Sequence, residues 1–174
     1  EKMGKLAAYL SDGPIEEVNI EYLGDFKSLE LRPLTSTFLK GMLRPSMDDA
    51  VNYVNAPVVA KERGIKVNTR QNEDVVDYAN KITVIVSGKG WEHVVSGTVF
   101  QNGEVHITQI DKFELDIRPT GHLLLVPHKD QPKVVGPVGM ILGEANVNIA
   151  GMQLGRKELG GESLMVLNID NPVP

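Results

Sequence analysis

No cysteine occurs among the 174 residues. Disulfides, thiolate metal sites and thiol nucleophiles are therefore excluded, and a cytoplasmic, reducing location fits. Long basic runs are missing too, and the net charge is −5, so no nucleic-acid partner is expected. No stretch approaches the ~18 apolar residues of a membrane span, and residues 1–10 (EKMGKLAAYL) lack a signal-peptide layout; no membrane partner is expected. Catalytic signatures are also absent. Gly136-Pro137-Val138-Gly139 lacks the start of a dinucleotide-binding turn, and its glycines read as close-packing positions. Ser87-Gly88-Lys89-Gly90 is not a phosphate loop, and neither G-x-S-x-G nor H-E-x-x-H occurs. His93, His106, His122 and His128 show no metal-ligand spacing, so no metal is expected and solvated or sheet-face positions are the default. Asp48-Asp49 suits a helix N-terminus. No residue reads as catalytic.

What is present is enough apolar content, 41%, for a packed core. Met3, Leu6, Ala7 and Leu10 recur at helical spacing, and Ser11-Asp12-Gly13-Pro14 breaks that helix. Val18, Ile20 and Tyr22 alternate as in a strand with one wet face. A short helix is expected from Pro33 through Leu43. Ser46 and Asp49 resemble a capping box opening a longer helix, with Val51, Val54 and Val58 on one side, a kink at Asn55-Ala56-Pro57 and an end at Gly64. Strands are expected at 65–69, 82–86, 93–100, 104–110 and 113–118, with a type I′ turn at Asn102-Gly103. These elements make an α+β fold: 1–14 as the end of a helix plus linker, 15–119 as a domain of two helices and a largely antiparallel sheet, and 120–174 as a second domain. The chain begins in mid-helix and reads as a fragment of something longer.

The second domain is organised around His122–Asp170. Leu123–Val126 is an apolar run ending in His128-Lys129-Asp130. Val134, Val135, Val138, Ile141 and Leu142 then share a helical face, with Pro137 expected to bend the helix. Asn146–Ile149 opens another extended run, and the Gly-rich turn Gly155–Gly161 leads into a third, Ser163–Ile169. Strand, helix, strand, turn, strand is the first part of a βαββαβ unit.

This stretch resembles an ACT domain, a small-molecule-sensing module of amino-acid biosynthetic enzymes. The carriers are Asp130, Pro132, Val135-Gly136, Leu142-Gly143 and Asn148-Ile149-Ala150; Lys133 departs, standing where the family usually has glycine. With Met3–Ala7, Gly13-Pro14-Ile15 and Val51–Pro57, the whole layout resembles the C-terminal regulatory half of the D-3-phosphoglycerate dehydrogenase family. The resemblance implies a ferredoxin-like ACT domain, incomplete at its C-terminus, and a parent enzyme that oxidises 3-phosphoglycerate with NAD. It implies pairing of ACT domains into a homo-oligomer. It also implies L-serine or a similar amino acid as effector at His128, Asp130 and Asn148, and a phosphate-bearing ligand at His106 and Arg118.

The residues alone leave other readings open. Asp130 can simply cap the helix and Asn148 can simply open a strand. Arg118 can pair with Glu114 or Asp116 on its own strand face. A β-part regulatory region of an iron–sulfur L-serine dehydratase, and a ligand-free ACT dimerisation module, are the rival assignments.

Overall fold

Alternation at Val18, Ile20 and Tyr22 produces strand β1 (Glu17–Gly24), with those three side chains buried. The computed structural model describes residues 1–26, 29–72 and 78–173. Its fold is α+β, and the chain divides into two units, Glu1–Glu104 and Val105–Pro174.

In the first unit, α1 (Lys2–Leu10) packs on α2 (Leu31–Met47) so closely that a Cβ on Gly4 would run into the backbone of Phe38 and Met42. β1 pairs in parallel with β2 (Lys66–Asn72) and antiparallel with β3 (Asn80–Gly88), which turns at Lys89-Gly90 into the antiparallel β4 (Trp91–Val99). A parallel β1–β2 pair needs a crossover, and α2 with the short α3 (Ala56–Glu62) supplies it. The buried face gathers Val18, Ile20, Tyr22, Val84, Val86 and Val95. The hydroxyl of Tyr22 shares a 2.9 Å hydrogen bond with that of Thr35 on α2.

The helices differ from the sequence expectation. α2 runs for 17 residues, through the expected break, with Pro45 inside it. Ser46 is no cap; its hydroxyl donates to the Leu43 carbonyl at 3.0 Å. Asp48 and Asp49 follow this helix in a 3₁₀ turn (Asp48–Ala50), where the Asp49 carboxylate accepts from Arg44 at 2.8 Å. The reciprocal box lies six residues further on than the expected Ser46–Asp49 one. Asn52 N–H donates to the Asn55 side chain at 2.8 Å, and Asn55 N–H to the Asn52 side chain at 3.0 Å. An asparagine amide oxygen serves as well as a hydroxyl or carboxylate here. Pro57 therefore sits in the first turn of α3, where its missing N–H costs nothing, and makes no kink. Val51 is buried, but Val54 and Val58 are 76% and 56% exposed, so the three do not share a core face.

The turn at Asn102-Gly103 also differs. Only Gly103 has positive φ (+82°), and its N–H donates to the Phe100 carbonyl at 2.9 Å. A type I′ turn needs positive φ at both central residues. Asn102 instead accepts the Glu104 N–H at 3.0 Å, which stabilises the wider Phe100–Glu104 loop.

In the second unit, β5 (Val105–Ile110) and β6 (Phe113–Ile117) form a hairpin. β7 (His122–Lys129), α4 (Val135–Glu144), β8 (Ile149–Arg156) and β9 (Glu162–Ile169) follow, with sheet order β7-β9-β8 and β9 antiparallel to both neighbours. One sheet face gives Met165, Leu167 and Ile169 to a core with Leu142 and Val147; Leu124, Val126, Val134, Val138 and Ile149 pack around it. The other face meets β6 at Gly155, where a Cβ would lie 2.9 Å from Leu115 Cδ2 and from Phe113 Cβ.

Helix α4 corrects three expectations. Pro137 stands in the first turn, among N–H groups that have no intrahelical acceptor, so it does not bend the helix. The inward stripe is Val134, Val138 and Leu142, while Val135 and Ile141 are exposed. Gly136 and Gly139 are not close-packed: a Cβ on either meets nothing within 4 Å. The helix ends in a Schellman arrangement. Asn146, at φ +54°, donates its N–H to the Gly143 carbonyl at 3.0 Å, Val147 donates to the Leu142 carbonyl at 2.8 Å, and the side chains of Val147 and Leu142 meet in the core.

Candidate functional site

Pairing places His128 opposite Ser163, and Ser163 opposite Arg156. Cross-strand partners share a face. The row therefore lies on the same face as Met165 and Leu167, at the end of the sheet where β7 runs out toward α4. Asp130 stands just beyond. Its N–H donates to the Gly161 carbonyl at 2.9 Å, tying the β7–α4 connection to the β8–β9 turn. Its carboxylate accepts from Arg156 Nη1 at 3.0 Å and from the Gly160 N–H at 3.3 Å, both through Oδ2. These donors, Arg156 first, hold the Asp130 carboxyl below the usual aspartate range. The expected helix cap is not formed, because α4 starts after Val134 with no side-chain cap bond.

Lys133, two residues before α4, has φ +69°. The left-handed region costs a β-carbon-bearing residue roughly 1–2 kcal/mol, a conformation that glycine adopts without that cost. His128 Nδ1 lies 3.0 Å from the Val126 carbonyl. A carbonyl only accepts, so Nδ1 carries the proton, and Nε2 is the acceptor of the neutral ring.

Asn148 is elsewhere. It precedes Ile149, which pairs with Ile169 at the far end of β9. Six strand steps from Ser163, at ~3.3 Å each, put it about 20 Å away. Its Nδ2 donates to the Asp170 carboxylate at 2.8 Å, and Asp170 N–H returns a bond to the Asn148 carbonyl at 3.1 Å. A single chain brings His128 and Asp130 together and leaves Asn148 apart.

His106 and Arg118 do adjoin. Ile107 pairs with Ile117, and one more step of that register sets His106 opposite Arg118. His106 is buried, 8% exposed, in strand β5, so of the two default positions it takes the sheet-face one and not the solvated one. Its Nδ1 is hydrogen-bonded to the Asp116 carboxylate. Asn168 donates to the carbonyls of Arg118 (2.8 Å) and Thr120 (2.9 Å), fixing the chain as it leaves β6. Sequence reading missed Arg156, Gly160, Asp170 and Asn168. Only strand register reveals them, and no local motif marks any of the four.

The D-3-phosphoglycerate dehydrogenase intervening-domain model matches residues 1–111. This chain belongs to that family. D-3-phosphoglycerate dehydrogenases align along its whole length or nearly so. The protein of Synechocystis is 37% identical over 100% of the chain and 32% of its own length. That of Bacillus subtilis is 41% identical over 97% of the chain and 32% of its own length. That of Methanocaldococcus jannaschii is 35% identical over 100% of the chain and 33% of its own length. The chain thus spans about a third of the curated relatives it matches. Gly136 and Gly139 are inside α4 and not in a turn ahead of a helix. No described helix is long and apolar enough to cross a membrane.

Proposed function

We propose that this chain is the regulatory portion of a cytoplasmic D-3-phosphoglycerate dehydrogenase, an enzyme oxidising 3-phosphoglycerate to 3-phosphohydroxypyruvate with NAD, and that it binds L-serine as a feedback effector. The NAD-binding and catalytic groups belong to the remaining two thirds of such an enzyme. Family membership supports the parent. The observation that carries the sensor reading is the Asp130 carboxylate, fixed through one oxygen by Arg156 and Gly160. It is ionised at neutral pH and held where an α-ammonium can meet it.

His128 and Asp130 supply one half of the effector site. Asn148, about 20 Å away within a chain, supplies the other half from a second copy, so the sensor works as a homo-oligomer. Calorimetric titration of the 174-residue chain tests this. Asp130→Ala and Asn148→Ala each abolish serine binding while circular dichroism stays native. Wild-type affinity in both variants refutes the reading. Sedimentation is expected to show an oligomer, and a strictly monomeric chain with tight serine binding refutes the two-copy site.

A second site is favoured by the register that sets His106 beside Arg118. A phosphate-bearing ligand there displaces Asp116 from His106, and Asp116→Asn strengthens inorganic phosphate binding. Unchanged phosphate affinity in that variant refutes the displacement.

A further inference from the structure

We infer that Arg156 is the carboxylate-binding residue of the effector site, so that Arg156 and Asp130 together form a receptor for the α-amino-acid zwitterion. This rests on the amino-acid-sensor reading and adds a residue to it. The bland alternative is a surface ion pair that clips the β8–β9 turn to β7, worth little by itself. Three features of the pair argue for more.

First, the contact is one-sided. Arg156 reaches Asp130 through Nη1 alone, and both donors to that carboxylate use Oδ2. A guanidinium and a carboxylate that only hold each other favour a two-bond fork. Here the other guanidinium donors and Oδ1 have no partner among the described residues, so each member keeps capacity for a ligand group of opposite charge.

Second, the pair is graded in exposure. The Asp130 side chain is 24% exposed and that of Arg156 53%. The carboxylate is the recessed anchor and the guanidinium the reachable arm.

Third, the row His128–Ser163–Arg156 puts the histidine on the same face. With Nδ1 committed to the Val126 carbonyl, Nε2 is an acceptor for a hydroxyl or ammonium proton. Ammonium on Asp130 Oδ1, carboxylate on Arg156 and a short polar side chain toward His128 describe a small hydroxylated α-amino acid.

The experiment is calorimetric titration of the 174-residue chain and of Arg156→Gln with L-serine and with L-serine methyl ester, which keeps the ammonium and neutralises the carboxylate. Loss of one charge-assisted hydrogen bond corresponds to a weakening of about ten- to a hundredfold. Arg156→Gln weakens serine by that factor, and the ester binds wild type and variant equally. Arg156→Lys, which keeps the charge without the fork, falls between. It also serves as the decisive variant if the glutamine substitution does not fold. Serine affinity unchanged in the variants overturns the role of Arg156 and leaves the sensor standing. Equal losses for serine and ester overturn it as well, because Arg156 then only positions Asp130. A wild-type chain that binds neither probe overturns the sensor and this inference together.

Discussion

Gly155 and Gly139 are both glycines within regular elements of the second unit, and alanine has opposite consequences at the two. At Gly155 on β8 the new methyl lies 2.9 Å from Leu115 Cδ2, 2.9 Å from Phe113 Cβ and 3.3 Å from the Glu114 carbonyl oxygen. The leucine methyl can rotate away, but Phe113 Cβ is fixed to its strand and moves only with β6. Overpacking of this kind costs about 1–3 kcal/mol. At Gly139 in α4 the methyl meets nothing within 4 Å. There alanine removes the entropic cost of glycine in a helix, a gain of up to about 1 kcal/mol. The two variants should therefore differ from each other by about 1–4 kcal/mol, with wild type between them. Urea unfolding followed by far-ultraviolet circular dichroism measures this from the midpoints at constant slope. A Gly155→Ala variant as stable as wild type would refute the close approach of β8 to β6. Destabilisation by Gly139→Ala would show that another surface covers that side of α4, the result expected if copies pair there.

Lys133→Gly relieves a positive φ and stabilises by about 0.5–1 kcal/mol once the extra freedom of unfolded glycine is subtracted. Lys133→Ala, which keeps the strain, gives no such gain in the same urea titration. Asn52→Ala and Asn55→Ala each break the reciprocal box ahead of α3 and cost about 1 kcal/mol. The double variant costs less than the sum, since one loss already uncouples the other. Arg156 and Gly160 depress the Asp130 pKa. A depressed carboxylate stabilises the fold above its unfolded value and loses that contribution as pH falls through the folded one. Acid titration should thus show wild type more stable than Asp130→Asn at pH 6, with the gap closing from about pH 4 downward. A gap that does not narrow at all below about pH 4 would contradict the ion pair.

Much of the fold was legible because it depends on period. Val18, Ile20 and Tyr22, and likewise Phe113, Leu115 and Ile117, alternate and are buried in alternation. The errors fell where several chemistries satisfy the same backbone need. Ser46–Asp49 and Asn52–Asn55 can both be read as N-terminal boxes, and only the second closes because α2 runs on past Ser46. Pro137 reads as a helix breaker only if α4 starts early. Starting after Val134 puts it in the first turn. Asp130 was marked as a candidate through resemblance alone. Its partner Arg156 is 26 residues away, and the contact becomes visible only once β7, β9 and β8 are in register.

Register also explains why the proposed effector residues do not meet in one chain. His128 and Asp130 lie at one end of β9 and Asn148 with Asp170 at the other, and no bending of a three-stranded sheet closes about 20 Å. A two-fold partner running antiparallel brings the far end of one sheet to the near end of the other. In the proposed homo-oligomer each such junction would hold Asp130 and Arg156 from one copy, with Asn148 and Asp170 from its mate. Both halves are already braced within the chain, Asp130 by Arg156 and Gly160, Asn148 by Asp170. A pocket assembled in the proposed way would therefore need little side-chain ordering when ligand arrives, leaving most of the ligand's binding energy to hold the two copies in one arrangement. A ligand that gains affinity only from the paired state must shift the chain toward pairing by that same differential. The proposed function would in this way link occupancy of a small surface site to the geometry of a whole assembly.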